Sequence, residues 1–475
     1  MDFGQFLYMR HEIILSALAL IVLIMEISSD KKSKANIIPV LVALFFINTV
    51  AGFLPVETGS LFGGMYKTTA LIILMKNILN AGVLIVFIQS AGWLKSNFTG
   101  NDNIGGYFFI VISSLIGMDF MISAGNFLMF YIGLELATIP LAALVASEKL
   151  KERSAEAGVK LILSAALSSG ILLYGLSLLY GTNGSLYFDN IASSFQNNSL
   201  QVLAFIFIFT GIAFKISIVP FHLWTADVYE GAPVNITSFL SVISKASAVF
   251  ILIILLFTVF RGIEGIWNSV LYFTSVLTMT IGNLFAIRQK NIKRFLAFSS
   301  IAQAGFIPLG IIGGSALGFS SVVYFVLIYL FSNLGAFGVV AAITNATGKE
   351  NIDEYNGLYS TNKGLSLVMM LSLFSLAGIP PVAGFFGKFF LFTSAAKQGY
   401  YLLVFIALIN ATVSLYYYLL VVKAMFINKN EVPIENIKND GYTKLGLIIC
   451  TIGIIAIGFA GIIFDYINSL TFGIK

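Results

Sequence analysis

Cysteine and histidine are almost missing from this 475-residue sequence, which holds one Cys, Cys450, and two His, His11 and His222. One thiol makes no intrachain disulfide and holds no iron-sulfur cluster, and two imidazoles are too few for a buried bis-His haem, so unassisted redox chemistry is excluded. Charge is scarce as well, at 10% of residues, and no HExxH, nucleophile elbow or paired catalytic carboxylates occur. The nearest approach to a nucleotide-binding loop is Gly387-Lys388 within AGFFGKFF, but the glycine needed five residues earlier is Val382 and the next residue is Phe389. No phosphate cradle forms there. The formal charge of +5 is explained by short loops and calls for no nucleic-acid partner.

What the sequence has in quantity is apolar surface: 58% hydrophobic residues and a mean hydropathy of +0.94 put the chain in a lipid bilayer. Crossing the hydrocarbon takes roughly 20 mainly apolar residues per helix, and fourteen such runs lie between residues 12 and 470. They are far longer than barrel strands of roughly ten residues and lack apolar/polar alternation, so the fold is all-helical. Lys31, Lys32 and Lys34 follow the first run without a small-residue cleavage pattern, and it reads as a retained helix. Basic residues set the orientation. With the loop after the first helix cytoplasmic, that side takes Lys31, Lys32, Lys34, Lys95, Lys149, Lys151, Arg153, Lys160, Arg288, Lys290 and Lys349 among others, and the opposite side only Arg10, Lys67, Arg261, Lys397 and Lys475. Both termini are therefore expected outside, in agreement with an even helix count.

A charge inside the hydrocarbon costs at least about 2.5 kcal/mol even on permissive scales, and such a residue usually faces a cavity or partner and marks a pathway. Glu135 in FLMFYIGLELATIPLAALV, Lys215 in FIFIFTGIAFKISIVPFHLW, Lys245 in NITSFLSVISKASAVFILIILL and Lys388 in LFSLAGIPPVAGFFGKFFLF fit best. Three lysines and one acid cannot all be paired statically, which favours proton loading and unloading over a set of packing ion pairs. Lys76 and Asp119 read more readily as packing partners, and Lys423 as a lysine reaching to the membrane surface. His222 follows Lys215 by seven residues, on the same face of a continuous helix, where it would bridge Lys215 toward a channel mouth. Two of the charged runs carry helix breakers, Pro220 after Lys215, and Pro380-Pro381 with Gly378, Gly384 and Gly387 around Lys388. Interruptions at membrane depth are tolerated where they line a cavity, and matched interruptions in two halves point to transport. If helices four to eight (106–260) and nine to thirteen (266–427) are five-helix repeats within one transmembrane domain, 1–475, their odd number makes them inverted with respect to each other.

At these same residues the sequence resembles a known family, the antiporter-like membrane subunits of respiratory complex I, and among them the subunit N, or subunit 2, type. The resemblance is carried by YIGLEL (131–136), SAEAGVKLILSAALSSGILLYGLSLLYG (154–181), GIAFKISIVPFHLWTADVYEGAP (211–233), SFLSVISKASAVF (238–250), NIKRFLAFSSIAQAGF (291–306) and GIPPVAGFFGKFFLF (378–392). It implies fourteen helices, with helices 7 and 12 interrupted, and a proton-transfer chain of Glu135, Lys215, Lys245 and Lys388 with His222 beside it. Glu156 and Lys160 in SAEAGVK match the pattern as accessory residues. The resemblance further implies a bacterial inner (cytoplasmic) membrane and other complex I membrane subunits as partners. NADH, flavin, iron-sulfur clusters and quinone would all lie in partner subunits, with none in this chain. An Mrp-like sodium/proton antiporter is the alternative. The sequence departs from the family at Phe298 and Gln303, where Tyr and His are common. Glutamine does not titrate, so passage there needs water or the hydroxyls of Ser299 and Ser300.

Overall fold

The computed structural model describes residues 3–29, 36–97, 104–148, 151–196, 198–459 and 461–471. Lys31, Lys32, Lys34, Lys149 and Lys475 of the loop-charge argument lie outside the described residues. In hydrocarbon each backbone N–H and C=O must be satisfied within the segment, so the apolar runs become helices. The first are α1 (Arg10–Ser28), α2 (Ile37–Gly52), α3 (Ala70–Asn97), α4 (Ile104–Ile122), α5 (Phe127–Leu136), α6 (Ile139–Val145) and α7 (Glu152–Asn183). Next come α8 (Phe188–Ser194), α9 (Ser199–Ile216), α10 (Leu223–Gly231), α11 (Val234–Phe239) and α12 (Lys245–Thr258), the last two joined by a π-helical turn at Leu240–Ser244. The chain continues through α13 (Glu264–Ile287), α14 (Ile292–Ile311), α15 (Ala316–Thr347), α16 (Leu358–Thr361), α17 (Lys363–Ala377), α18 (Ala383–Lys397), α19 (Tyr401–Phe426), α20 (Gly441–Phe459) and α21 (Gly461–Thr471).

Among the described residues, twelve helical stretches are long and apolar enough to cross a membrane, and α2 and α17 are shorter apolar helices. Helix stands on every run expected from the sequence. The one addition to the all-helical reading is a short hairpin, β1 (Gly59–Leu61) and β2 (Tyr66–Thr68), paired antiparallel with Gly59 opposite Thr68. The third run consequently starts at Ala70 instead of 67.

The helices divide by what they face. α7, α13 and α19 expose Leu163, Leu167, Phe273, Leu284, Phe405 and Ile409 on their outer sides, where lipid would cover them. The α11–α12 helix and α14 are almost wholly enclosed by the others, so any polar side chain on them is held inside the protein.

Both expected interruptions are present, and two more occur. α9 ends at Ser217 (φ 70°), where Ile218 N–H donates to the Ala213 carbonyl at 2.9 Å. α17 ends at Gly378 (φ 86°), where Ile379 N–H donates to the Phe374 carbonyl at 3.0 Å. These are the same left-handed closure. Glycine takes that conformation freely, whereas Ser217 takes it against the usual steric preference, and its hydroxyl accepts from Thr225 Oγ1 at 2.7 Å. The helix holding Glu135 is also cut, between α5 and α6 at Ala137–Thr138. Pro140 has no N–H for the Leu136 carbonyl, which explains the break. The π-helical turn before Lys245 is the fourth irregularity.

Candidate functional site

Each of the three buried lysines and the half-buried Glu135 stands beside one of these irregularities. Glu135 lies two residues before the α5–α6 break, Lys215 two residues before Ser217, Lys245 directly after the π turn, and Lys388 on α18 against the broken end of α17. The three lysines are 4–6% exposed, and their partners are neutral. Lys215 Nζ donates to Thr138 Oγ1 at 2.7 Å, and Thr138 in turn donates to the Leu134 carbonyl. Lys245 Nζ donates to Ser300 Oγ at 2.9 Å and sits 5.6 Å from the centre of the Tyr229 ring. Lys388 Nζ donates to the Leu376 and Ala377 carbonyls at 2.8 and 3.1 Å. Those two carbonyls belong to the last turn of α17, whose C-terminal end carries partial negative charge suited to an ammonium.

Glu135 is not in an ion pair with Lys215, although it is the charged group that acts on that lysine. Its Oε1 is buried without a hydrogen-bond partner among the described residues. Thr138, one turn past Glu135, makes the contact instead. Nothing in the sequence marks Thr138, for a threonine in an apolar helix usually bonds only its own backbone.

Gln303 occupies the step between Lys245 and Lys388. It lies one turn beyond Ser300 on α14, and its Nε2 donates to the Leu376 carbonyl at 2.8 Å and to the Tyr418 hydroxyl at 3.1 Å. Gln303 and Lys388 therefore share one carbonyl acceptor. Ser299, the other hydroxyl suggested by the sequence, bonds Tyr418. Between Lys245 and Gln303 lies a cavity walled by Ile216, Val249, Ser300, Ile307 and Tyr329, with about 20 Å³ of room for the centre of a water-sized sphere. That is enough for about one water.

His222 does not share a face with Lys215. The seven-residue spacing counts only along an unbroken helix, and the chain leaves the helix from Ser217 to Phe221. His222 instead precedes α10, is 8% exposed, and has Lys245 as its charged neighbour. Its Nδ1 is buried and has no partner among the described residues.

At the start of α7, Lys160 bridges Glu156 and Asp227, each at 2.7 Å. Arg294 bonds Asp227 at 2.7 Å and Glu230 at 2.9 Å. With Arg153 these residues line a polar cavity of about 260 Å³. Glu156 and Lys160 thus belong to a network that ties α7, α10 and α14 together through Asp227, which the sequence offered only as part of the DVYEGAP motif. Lys423 is exposed in the last turn of α19. Among the described residues no group of three or more His, Cys, Asp or Glu is placed to hold a metal ion.

Residues 124–414 match the family described as NADH:quinone oxidoreductase/Mrp antiporter, transmembrane. The chain is 51% identical over 478 residues to NADH-quinone oxidoreductase subunit N of Azobacteroides pseudotrichonymphae genomovar. CFP2, covering 100% of this chain and 99% of that one. It is 48% identical to the protein of the same name in Phocaeicola vulgatus, covering 98% and 99%. In structure it is similar to a chain of respiratory complex I from Thermus thermophilus with bound Aureothin, at a TM-score of 0.80 and 25% identity over 96% of this chain and 98% of that one. It also shares the fold of a chain of the Mrp complex from Dietzia sp. DQ12-45-1b, at a TM-score of 0.88 and 18% identity over 98% and 97%. With its family domain matched over more than half its length and relatives matched end to end, the chain belongs to the NADH:quinone oxidoreductase/Mrp antiporter transmembrane family.

Proposed function

We propose that this chain is the proton-translocating subunit N of a bacterial NADH:quinone oxidoreductase, a multi-pass membrane subunit with no catalytic centre of its own. NADH, flavin, iron-sulfur clusters and quinone belong to partner subunits, and other membrane subunits flank it in the lipid bilayer. All fourteen helical runs cross the bacterial inner membrane, with both termini on the outer side. The observation that carries this reading is the row of polar groups across neighbouring helices. It runs from Glu135 and Thr138 to Lys215, then from Lys245 through Ser300 and the small cavity beside it to Gln303, the Leu376 carbonyl and Lys388.

Protons enter from the side of the Glu156–Lys160–Asp227 network and load the lysines one at a time. A change of charge at Glu135 alters how firmly Lys215 holds its proton, and His222, whose charged neighbour is Lys245, is a further proton-transfer residue. Carrying one charge against 100 mV takes about 2.3 kcal/mol, a scale that a single buried charge contact matches. The matching end-caps at Ser217 and Gly378 support the two inverted repeats, 106–260 and 266–427. The fold shared with an Mrp complex keeps a sodium/proton antiporter as the second reading. Lysines along the axis repel sodium, and one carboxylate offers it little coordination.

The test is redox-driven acidification in inside-out vesicles carrying the intact complex. Lys215→Ala should assemble and reduce quinone while acidification falls or disappears. Lys215→Arg should fail in the same way, because a guanidinium does not give up its proton. Full pumping in either variant overturns the reading.

A further inference from the structure

A second group of buried charges lies apart from the axis, at the ends of α1, α3 and α4 beneath the hairpin. Lys76 Nζ and Glu12 Oε1 are 2.5 Å apart, with side chains 1% and 2% exposed. Lys76 also donates to the Tyr66 hydroxyl at 2.9 Å, and that hydroxyl reaches both Glu12 oxygens at 3.1–3.2 Å. Tyr66 comes from β2, which is stitched to the end of α4 by Lys67 N–H to the Ser123 carbonyl at 2.8 Å and Gly125 N–H to the Met65 carbonyl at 2.7 Å. Asp119, on the last turn of α4, is 0% exposed and within electrostatic reach of both Lys76 and Glu12. Neither of its carboxyl oxygens has a hydrogen-bond partner among the described residues. His11, the neighbour of Glu12, is engaged by Asn77 at 3.0 Å.

Lys76 and Glu12 cancel, so an ionised Asp119 would leave one net negative charge with no hydrogen-bond partner among the described residues. Burying a carboxylate in that state costs far more than neutralising it. The two unpartnered oxygens of Asp119 also mark a place for internal water, since buried polar groups are nearly always satisfied. The ammonium of Lys76 repels a metal ion, so the exchangeable species that suits the site is a proton.

We propose that Asp119 is a proton-binding carboxylic acid close to Tyr66 and Ser123, held beside a fixed Glu12–Lys76 ion pair, and that it hands protons to or from the water on its side of the membrane. Glu12 and Lys76 at the starts of α1 and α3, and Asp119 at the end of α4, share one side; Lys160 at the start of α7 is on the other. The transfer role rests on the proposed function, in which this is the outer side. α4 and α5 pack backbone to backbone at Gly117 and Gly133, where a Cβ on Gly133 would come within 2.7 Å of the Gly117 carbonyl oxygen, and Asp119 and Glu135 lie two residues from that crossing on opposite sides of it.

The test uses the intact complex, comparing infrared difference spectra and protons delivered per electron pair for the parent, Asp119→Asn, Asp119→Glu and Lys215→Ala. A protonated-carboxyl band that vanishes in Asp119→Asn, shifts in Asp119→Glu and persists in Lys215→Ala is expected, with a loss of proton yield in Asp119→Asn. If Asp119→Asn does not assemble, the shift in Asp119→Glu carries the test. Unchanged carboxyl spectra in the Asp119 variants overturn the proposal, and a lost band with full proton yield overturns the transfer role. Normal pumping by Lys215→Ala would instead refute the proposed function and leave the Asp119 band to be judged by itself.

Discussion

Replacing Thr138 by valine keeps the volume of the side chain and removes only the hydroxyl that accepts from Lys215 Nζ at 2.7 Å. Lys215 is 6% exposed, and Thr138 is its one hydrogen-bond partner among the described residues. A hydrogen bond to a charged group contributes about 1.5–3 kcal/mol. The loss is therefore as large as the work of moving a charge through 100 mV, about 2.3 kcal/mol, and Lys215 should no longer load in step with the rest of the axis. Thr138→Ser restores an acceptor at the same place and should keep most of the function. The assay is acidification of inside-out vesicles per electron pair, beside the quinone reductase rate and the amount of assembled complex. Full proton yield in Thr138→Val at normal assembly would refute the assignment of Thr138 as the partner Lys215 needs for proton exchange.

Glu135→Asp should lower acidification less than Glu135→Ala, because the shorter acid still places a charge near Lys215; equal loss in both, or none in either, counts against that coupling. Gln303→Leu removes the donor to Leu376 and Tyr418, and should lower proton yield with quinone reduction and assembly unchanged. Undiminished yield in that variant takes Gln303 off the route. Gly384→Ala drives a methyl group into the Ser375 carbonyl, an overpacking cost of about 1–3 kcal/mol, and should lower the midpoint of thermal unfolding of the complex. An unaltered midpoint would mean that α17 and α18 part freely at the break.

The bilayer makes much of this fold legible, because hydrocarbon leaves a long apolar run few options besides helix. The breaks at Ser217–Phe221 and Gly378–Val382 were legible too, since prolines and glycines stood inside runs that otherwise had no reason to stop. Pro140 carried the same signal beside Glu135, and the break there could have been read from it. The π turn at Leu240–Ser244 has no such marker, and the strands of the hairpin are three residues each, too short for alternation to register. The site residues were legible as types, since a lysine in hydrocarbon is conspicuous, but their partners were not. Lys76 finds Glu12 across 64 residues, and Thr138 and Ser300 look like ordinary helix residues until another helix lays an ammonium against them. His222 shows the opposite error, a face argument applied across a break that the adjacent Pro220 had already announced.

The lysines' neutral partners also bear on the direction of transfer. Three ammonium groups and one carboxylate would form a poor set of ion pairs, but here hydroxyls and carbonyls solvate the cations. A hydroxyl both donates and accepts. When Lys215 or Lys245 gives up its proton, the hydroxyl of Thr138 or Ser300 can turn from its present backbone carbonyl, Leu134 or Ala297, and donate to the free amine. Both protonation states then keep a partner, and the exchange leaves no buried group orphaned except that carbonyl. Lys388 differs, because the Leu376 and Ala377 carbonyls only accept. Its amine form would still donate to those two carbonyls, but its lone pair would have no donor there, where the hydroxyls beside Lys215 and Lys245 supply one. In the proposed function, a shift at the broken end of α17 that withdrew the Leu376 and Ala377 carbonyls would take away both hydrogen-bond partners that Lys388 has among the described residues, so that break is where the proposal places control of the far end of the route.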